Sequence, residues 1–391
     1  MKTFTSLALA AIALLGATVS ADPKQLYHVT APKTVFDTTV AKFHGELDVW
    51  SVKPVLGAAD KVTADVYATE SEIAFFQSHT SPNQRMVFGN ETLIQRDPVN
   101  TQELLAERAV ARATCATKTR RHLEELATIT GKYTANAFFD CFRQSSEVFA
   151  FFDQLVVDNP TIFSKIAKVT TTVEGRTVPG YKISTGSGRK PIYTQGLIHA
   201  REWIAGSSTF YVMAGLLDGL RSGDSTVTAL FQKYDWVFVP ILNLDGYQYS
   251  WSSDRMWRKN RKKISGSTYG VDLNRNYPPN NMWGKGGDGP LSDAYPGSGP
   301  LSEPETAGSW SFIKSLNPSY QSQTSAQLYV AYGCFDDAVF QELNKPVFTI
   351  EMAGSSFIAS ESTIRTAGNN MYKAFLAFGN GLDTYWSGLS Q

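Results

Sequence analysis

The chain has 391 residues, 42% of them apolar, which is enough for a large hydrophobic core. It carries 36 basic and 36 acidic side chains, so its formal net charge at pH 7 is zero. This balance excludes the strongly basic or acidic chains that bind partners through net charge alone, and we expect no nucleic-acid partner.

Residues 1–21 have the pattern of a secretory signal peptide. Lys2 precedes an apolar run over 7–15, which is too short to span a bilayer, and small residues end the segment at Ala21. No other uninterrupted apolar stretch is long enough to cross a membrane. We therefore expect a secreted, extracellular protein with no membrane partner. In such a protein Asn90 is an N-glycosylation acceptor, because Glu91 and Thr92 follow it.

The cysteines limit the covalent cross-links. Cys115, Cys141 and Cys334 allow at most one internal disulfide, with one thiol left over. Cys115 with Cys141 is the favoured pair because both flank one linker. Three unpaired thiols are the alternative.

Residues 22–134 are predicted to form a small α+β unit and a connecting segment. Its elements are a helix around 35–43, strands at 49–52, 61–68 and 85–88, and a second helix opened by the capping box 69–72. With a strand ahead of the first helix, this order is the ferredoxin-like pattern β-α-β-β-α-β.

A helix predicted over 101–113 leads into a polar linker rich in basic side chains. These residues are Arg108, Arg112, Lys118, Arg120 and Arg121. They are either the solvated charges of a helix or a processing site for a trypsin-like protease, since exposed linkers are where proteolysis concentrates.

Residues 135–391 are predicted to form an α/β domain. Strand-like runs at 166–173, 181–184, 192–198, 236–241 and 347–350 alternate with helices. Of these helices, one is capped by Ser145, one covers 203–220, and one covers 361–378. Apolar strands separated by helices predict a sheet that is buried on both faces.

A turn between the strand at 192–198 and the next helix carries His-Ala-Arg-Glu-Trp at 199–203. His199 and Glu202 can point at one Zn²⁺, an ion that takes nitrogen and oxygen ligands. Arg201 adds a fixed positive charge between them. A surface turn with a satisfied histidine is the alternative for the isolated pair.

Two further clusters extend this motif: Trp-Arg-Lys-Asn-Arg at 257–261 and Gly-Val-Asp-Leu-Asn-Arg-Asn-Tyr at 270–277. Together with 199–203 they resemble the funnelin-type zinc carboxypeptidases of the pancreatic carboxypeptidase A/B family, from about residue 35 to the C-terminus. The resemblance implies a mixed sheet sandwiched by helices, behind an activation prodomain. It also implies a secreted monomeric zymogen that uses Zn²⁺ to remove C-terminal amino acids from peptides and proteins.

The resemblance also implies a role for each matching residue. The zinc ligands would be His199 and Glu202, with Asp272 orienting His199. The catalytic residues would be Glu351, as the general base, and Arg258, on the oxyanion. The substrate-binding residues would be Arg201, Asn274, Arg275, Tyr329 and Asp336. An aspartate at position 336 implies a preference for C-terminal Lys or Arg. A capped turn over residues 333–337 is the alternative for Asp336.

One part of the family pattern is missing. The third zinc ligand of the family is a histidine on a strand between the positions matched by Arg275 and Tyr329, and residues 313–325 contain no histidine. The histidines of the chain are His28, His44, His79, His122 and His199. The segment that should carry the ligand is absent after Tyr320.

Three explanations remain open for this gap. The chain is mis-joined or alternatively spliced, it is a natural pseudo-peptidase that binds peptide C-termini, or a substitute ligand is used. The candidate substitutes are Cys334 and the pair Asp336-Asp337.

Overall fold

The computed structural model describes two large parts of the chain and several shorter pieces. The described residues are 25–42, 48–55, 58–70, 72–73, 93–96, 131–266, 268–278, 283–284, 289–316, 334–343, 347, 349–350, 352 and 357–389.

The N-terminal part is a four-stranded antiparallel sheet with one helix. Its elements are β1 (Gln25–Pro32), α1 (Lys33–Lys42), β2 (Asp48–Val55), β3 (Ala58–Ala68) and β4 (Leu93–Arg96). The strand order is β2-β3-β1-β4, so β1 lies between β3 and β4. Val29, Ala64 and Val66 are completely buried, and Phe36 of α1 belongs to the same core. This unit therefore has a hydrophobic core of its own.

Most predicted elements of this unit are present. The strands at 49–52 and 61–68 lie within β2 and β3, and the helix at 35–43 coincides with α1 up to Lys42, beyond which residue 43 is not described. The capping box is formed, since Thr69 N donates to Glu72 Oε2 over 2.7 Å and Glu72 N donates to Thr69 Oγ1 over 3.1 Å. The predicted strand at 85–88, the helix at 101–113, Asn90 and the basic linker lie outside the described residues.

The second sheet carries the main domain. Its strands are β5 (Phe163–Thr171), β6 (Thr177–Ile183), β7 (Lys190–Gln195) and β8 (Tyr234–Val239). The order is β5-β6-β8-β7, with antiparallel pairs except for the parallel pair β7 and β8. All six residues of β8 are buried, as expected for a strand covered on both faces. The expected mixed sheet is thus present.

Helices and a small hairpin complete this domain. The helices are α2 (Ser145–Asp158), α3 (Trp203–Ser222), α4 (Ser225–Lys233), α5 (Leu244–Ser252), α6 (Pro304–Ser315), α7 (Phe335–Leu343) and α8 (Ile364–Leu389). The hairpin pairs β9 (Lys263–Ser265) with β10 (Thr268–Tyr269). One aromatic-rich core joins the sheet to α2, α3 and α8, and Trp236 of β8 stacks on Phe375 of α8 with 5.5 Å between ring centroids.

Two predicted helix boundaries are wrong. The cap of α2 is Gln144 rather than Ser145, because Glu147 is correctly spaced to accept a hydrogen bond of 2.9 Å from Gln144 N. The last helix starts at Ile364, after a 3₁₀ turn over Glu361–Thr363, and continues to Leu389.

The strand predicted at 347–350 is also wrong for its described residues. Val347, Thr349 and Ile350 lie in no strand, and Ile350 is 39% exposed. A β-prone run becomes a strand only where a neighbour pairs with its backbone N–H and C=O groups. None of the described strands pairs with this segment.

The structure shows the state of two of the three cysteines and tests the described helices for membrane spans. Cys141 is disulfide-bonded and Cys334 is a buried free thiol, so the alternative of three unpaired thiols is wrong. Cys115 lies outside the described residues. Among the helices described, none is both long enough and apolar enough to cross a bilayer.

Candidate active site

The turn between β7 and α3 is a tight strand-to-helix connection. Leu197 has a φ of 51°, in the left-handed region that side chains rarely adopt. Its side chain packs against Gly206 of α3, where an added Cβ would come within 2.6 Å of Leu197 Cδ1. Glycine at 206 therefore lets α3 approach the turn. Glu202 is the cap residue directly before α3, and His199 lies three residues earlier in the same turn.

Asn243, which the sequence analysis missed, ties this turn to a second loop. Its Nδ2 donates to Ile198 O over 3.1 Å and to Arg258 O over 3.2 Å. Ala200 N also donates to Arg258 O, over 3.0 Å. The loop that carries Arg258 is thus fixed beside the turn. The available signal was an asparagine close after the apolar run of β8.

His199 lies between two carboxylates. Its Nδ1 is 2.7 Å from Glu202 Oε1, and its Nε2 is 3.2 Å from Asp272 Oδ1, although the second contact is not aligned as a hydrogen bond. Burial of the imidazole and the positive charge of Arg258 oppose its protonation, but Glu202 and Asp272 outweigh both and raise the pKa of His199. Despite its burial, the pKa of Glu202 is lowered by His199 and Arg258.

Asp272 is the buried anion that links this histidine to Arg258. Arg258 donates to Asp272 Oδ2 from Nη2 over 2.8 Å and from Nε over 3.2 Å, and its Nη1 is 3.9 Å from Glu202 Oε1. Burial alone would raise the pKa of Asp272, but Arg258 and His199 hold that pKa well below its usual range. Asp272 is therefore charged, and it raises the pKa of Arg258 in return.

Arg201 pairs with a carboxylate outside this group, although its charge helps to lower the pKa of Glu202. It is 2% exposed, its Nη1 donates to Asp293 Oδ2 over 2.9 Å, and its guanidinium lies 4.4 Å from the centroid of the Phe357 ring. Asp293 could not be identified as its partner from the sequence, because a pairing so distant along the chain leaves no local pattern.

Asn274 and Arg275, the residues predicted to bind the terminal carboxylate of the substrate and called here the clamp, lie against the start of α7. Asn274 N donates to Asp272 Oδ1 over 2.9 Å, which connects the clamp to the buried anion. Asn274 Oδ1 accepts from Phe335 N over 2.9 Å, and Arg275 Nη1 donates to Cys334 Sγ over 3.4 Å. His199, Arg258 and the pair Asn274 and Arg275, which come from three separate stretches of sequence, thus form one connected group.

Asp336 lies in the first turn of α7 beside the clamp and is half-buried. The ligand atoms of Cys334, Asp336 and Asp337 all lie within 4.8 Å of one another. Burial raises the pKa of Cys334 to about 12, and burial with the charge of Asp336 raises the pKa of Asp337 to about 6. Glu351 and Tyr329 lie outside the described residues.

The donor set does not fit a zinc site with three protein ligands. Nitrogen and oxygen ligands at 2.0–2.2 Å from a tetrahedral metal lie about 3.3–3.6 Å apart, whereas His199 Nδ1 and Glu202 Oε1 are hydrogen-bonded to each other over 2.7 Å. His199 is the single histidine of residues 131–391. Within the described residues, the one group of three potential ligands is the Cys334 cluster, and it contains neither member of the pair.

Comparison with known proteins agrees with the fold and the motifs. Residues 148–325 match the family model described as zinc carboxypeptidase. "Zinc carboxypeptidase A 1" of Anopheles gambiae is 35% identical over 196 residues, which are 49% of this chain and 44% of that protein. "Inactive metallocarboxypeptidase ecm14" of Schizosaccharomyces pombe is 37% identical over 163 residues, 38% of this chain and 31% of that protein. The chain spans less than half the length of both relatives.

A solved structure extends the likeness to nearly the whole chain. The crystal structure of thrombin activatable fibrinolysis inhibitor superposes with a TM-score of 0.69 and covers 92% of this chain and 99% of its own. Its sequence identity is 19%, so this likeness concerns the fold. The evidence for the family is the set of motifs at the site and the family-model match over residues 148–325. Over residues 148–325, the chain is similar to the zinc carboxypeptidase family.

Proposed function

We propose that this protein binds the C-terminal carboxylate of peptides and proteins at the site formed by Arg258, Asn274 and Arg275. The observation that supports this most is the continuous chain of contacts from Arg258 through Asp272 to Asn274. Through these contacts the buried carboxylate of Asp272 fixes the guanidinium of Arg258 and the backbone of Asn274. A guanidinium recognises a carboxylate through two parallel hydrogen bonds, which gives both affinity and orientation.

Hydrolysis is the second candidate function, and one observation favours it. His199 and Glu202 keep two ligand atoms facing each other beside Arg258. The family uses zinc, and the residues present supply two of three ligands. For the chain as printed we therefore propose binding without hydrolysis, as the name of the S. pombe relative also suggests. Removal of the C-terminal residue, with Glu351 as the base, is proposed for a form that supplies a third ligand.

A preference for C-terminal Lys or Arg is part of the proposal. Asp336 lies in the first turn of the helix whose Phe335 N contacts Asn274, so a carboxylate is available next to the clamp. A basic side chain gains a charge pair there, while an apolar one leaves the half-buried carboxylate without a partner.

The proposal includes secretion and a zymogen organisation. The signal-peptide pattern of residues 1–21 supports secretion, and the separate core of the β1–β4 unit supports an independent activation segment. In this proposal, residues 22–134 cover the site until a trypsin-like protease cuts the basic linker.

Calorimetric titration in excess chelator tests metal-free recognition. We expect a peptide that ends in Arg with a free carboxylate to bind at least about tenfold more tightly than the same peptide with a C-terminal amide, because the amide removes the charge-assisted pair. The titration is run before and after trypsin treatment. Equal affinity for the acid and the amide in both forms would refute carboxylate recognition, and mass spectrometry of the recovered peptide detects any hydrolysis.

A further inference from the structure

Glu303 is the cap residue of α6, but its side chain does not cap that helix. It is 2% exposed and makes no side-chain hydrogen bond to the first turn, which Pro304 opens. Most cap side chains accept hydrogen bonds from the first N–H groups of their helix. A buried carboxylate is costly unless it is hydrogen-bonded, and the oxygens of Glu303 find their partners outside α6.

Asn260, from the loop that carries Arg258, is the main partner of this carboxylate. Its Nδ2 donates to Glu303 Oε2 over 2.8 Å, while Glu305 Oε2 is farther away, at 3.5 Å. Ser302 Oγ donates to the other oxygen of Glu303 over 3.0 Å. Only the nitrogen end of an asparagine amide can donate to a carboxylate. The carboxylate of Glu303 therefore fixes the orientation of the buried Asn260 amide, with its oxygen directed to other partners.

The oxygen of the Asn260 amide joins the loop of Arg258 to the segment that carries Asp272. Asn260 Oδ1 accepts from Val271 N over 2.8 Å and from Lys262 N over 3.1 Å, and Asn260 N donates to Val271 O over 3.0 Å. Val271 directly precedes Asp272, and Asn260 lies two residues after Arg258. The orientation of one amide therefore fixes the two segments whose side chains form the Arg258–Asp272 pair.

The backbone of Glu303 makes a second contact, to the residue that follows Arg275. Asn276 Oδ1 accepts from Glu303 N over 3.2 Å and from Thr306 Oγ1 over 2.6 Å. Asn276 is completely buried. The start of α6 thus contacts both the loop of Arg258 and the segment of Arg275.

We infer that Glu303 is a positioning residue for the carboxylate site, because its side chain holds the Asn260 amide and thereby sets the position of Arg258. This inference rests on the proposed function, in which Arg258 binds the terminal carboxylate of a peptide. Glu303 acts through Asn260 and needs no contact with the peptide. Bidentate recognition depends on the orientation of the guanidinium. Loss of the Glu303 side chain should therefore weaken recognition of the carboxylate more than binding of the rest of the peptide.

Calorimetric titration in excess chelator measures this recognition as a ratio of affinities, that of an Arg-ended peptide with a free carboxylate over that of its C-terminal amide. It uses the form of the protein, before or after trypsin treatment, that distinguishes the two peptides. We expect Glu303→Ala to lower the ratio at least about fivefold, comparable to the loss of one hydrogen bond. Glu303→Gln should keep the ratio within about twofold of its original value, because the oxygen of glutamine still accepts from Asn260 Nδ2. An unchanged ratio in Glu303→Ala, or an equal loss in both variants, would overturn the inference.

Two further variants separate positioning from charge and from stability. Glu303→Asp keeps the charge and is a favourable helix cap, so it should fold, but its shorter side chain withdraws the acceptor from Asn260 and should lower the ratio as Glu303→Ala does. Asn159→Ala is the matched control, because Asn159 is also buried and its Nδ2 donates to Tyr133 OH and to Leu155 O, each over 2.8 Å. It should destabilise the protein in urea and leave the ratio unchanged. A normal ratio in Glu303→Asp, or an equal loss in Asn159→Ala, would overturn the inference.

Hydrogen exchange of the Val271 N–H, followed by NMR and compared with amides of β8, tests the same contacts without any peptide. We expect exchange at least about tenfold faster in Glu303→Ala and Glu303→Asp, because Asn260 Oδ1 is no longer held as the acceptor. Exchange should be unchanged in Glu303→Gln and Asn159→Ala. Unchanged exchange in both Glu303→Ala and Glu303→Asp would overturn the inference. If the unchanged protein binds acid and amide equally, the proposed function fails, and the exchange rates still decide whether Glu303 holds the loop of Arg258.

Discussion

The pair Arg258–Asp272 gives the sharpest test of how the site is stabilised. The side chain of Arg258 is 13% exposed and that of Asp272 is 0% exposed, with 2.8 Å between Nη2 and Oδ2. In Arg258→Met the carboxylate stays buried and loses its bidentate partner. Breaking a buried ion pair on one side costs about 3–5 kcal/mol, so we expect the free energy of unfolding of the main domain to fall by about that amount.

An exposed ion pair of similar length provides the control. Lys165 Nζ and Asp153 Oδ2 are 2.7 Å apart, but these side chains are 38% and 43% exposed. Such pairs contribute at most about 1 kcal/mol, because water and salt screen the charges, so Lys165→Met should have little effect. The double variant of Arg258→Met with Asp272→Asn should recover at least half of the loss, because the buried charge is gone.

Unfolding in urea, followed by tryptophan fluorescence, measures these differences. The reasoning would be refuted if Arg258→Met and Lys165→Met differ by less than about 1 kcal/mol. It would also be refuted if adding Asp272→Asn made Arg258→Met less stable.

Three further predictions follow from the described contacts. Burial raises the pKa of Glu305 to about 7, above its unfolded value near 4.5, so native stability should fall as the pH rises from about 4.5 to above 7, by up to about 3 kcal/mol. Glu305→Gln should abolish this slope and stabilise the protein at pH 8 in urea titrations, and an unchanged slope would contradict the assignment. Asn243→Ala removes the hydrogen bonds to Ile198 O and Arg258 O, so it should cost about 1–3 kcal/mol in the same assay, and no loss would show that they do not fix the turn. Asp336→Asn should weaken calorimetric binding of Arg-ended peptides but not of Leu-ended ones, with Asp337→Asn as the control, and equal effects of both changes would remove Asp336 from recognition.

The elements that could be predicted from the sequence are those with a local signature. The apolar run of β8 predicts a strand buried on both faces, and the threonine and glutamate of residues 69–72 predict a capping box, because both patterns act over a few residues. The motif at 199–203 likewise predicts a turn that places His199 beside Glu202. In each case the side chains that decide the structure are close in sequence.

The features that were missed depend on contacts between distant parts of the chain. Asn243 donates hydrogen bonds to the turn at Ile198 and to the loop at Arg258. Asp293 pairs with Arg201, which lies far from it in the sequence. The run at 347–350 has the composition of a strand, but composition cannot provide the neighbouring strand with which it would pair. The helix cap is Gln144 and not the predicted Ser145, because the side chain of Glu147 accepts a hydrogen bond from Gln144 N.

The zinc content of the purified protein tests the central claim most directly. His199 and Glu202 supply two ligands and pair with each other at 2.7 Å, and no third ligand lies with them among the described residues. A site with two protein ligands does not enforce the closed tetrahedral geometry that binds zinc tightly. We therefore predict far less than one zinc per chain after dialysis against metal-free buffer, measured by mass spectrometry of the metal. One zinc per chain, with peptide hydrolysis that a chelator abolishes, would contradict the account.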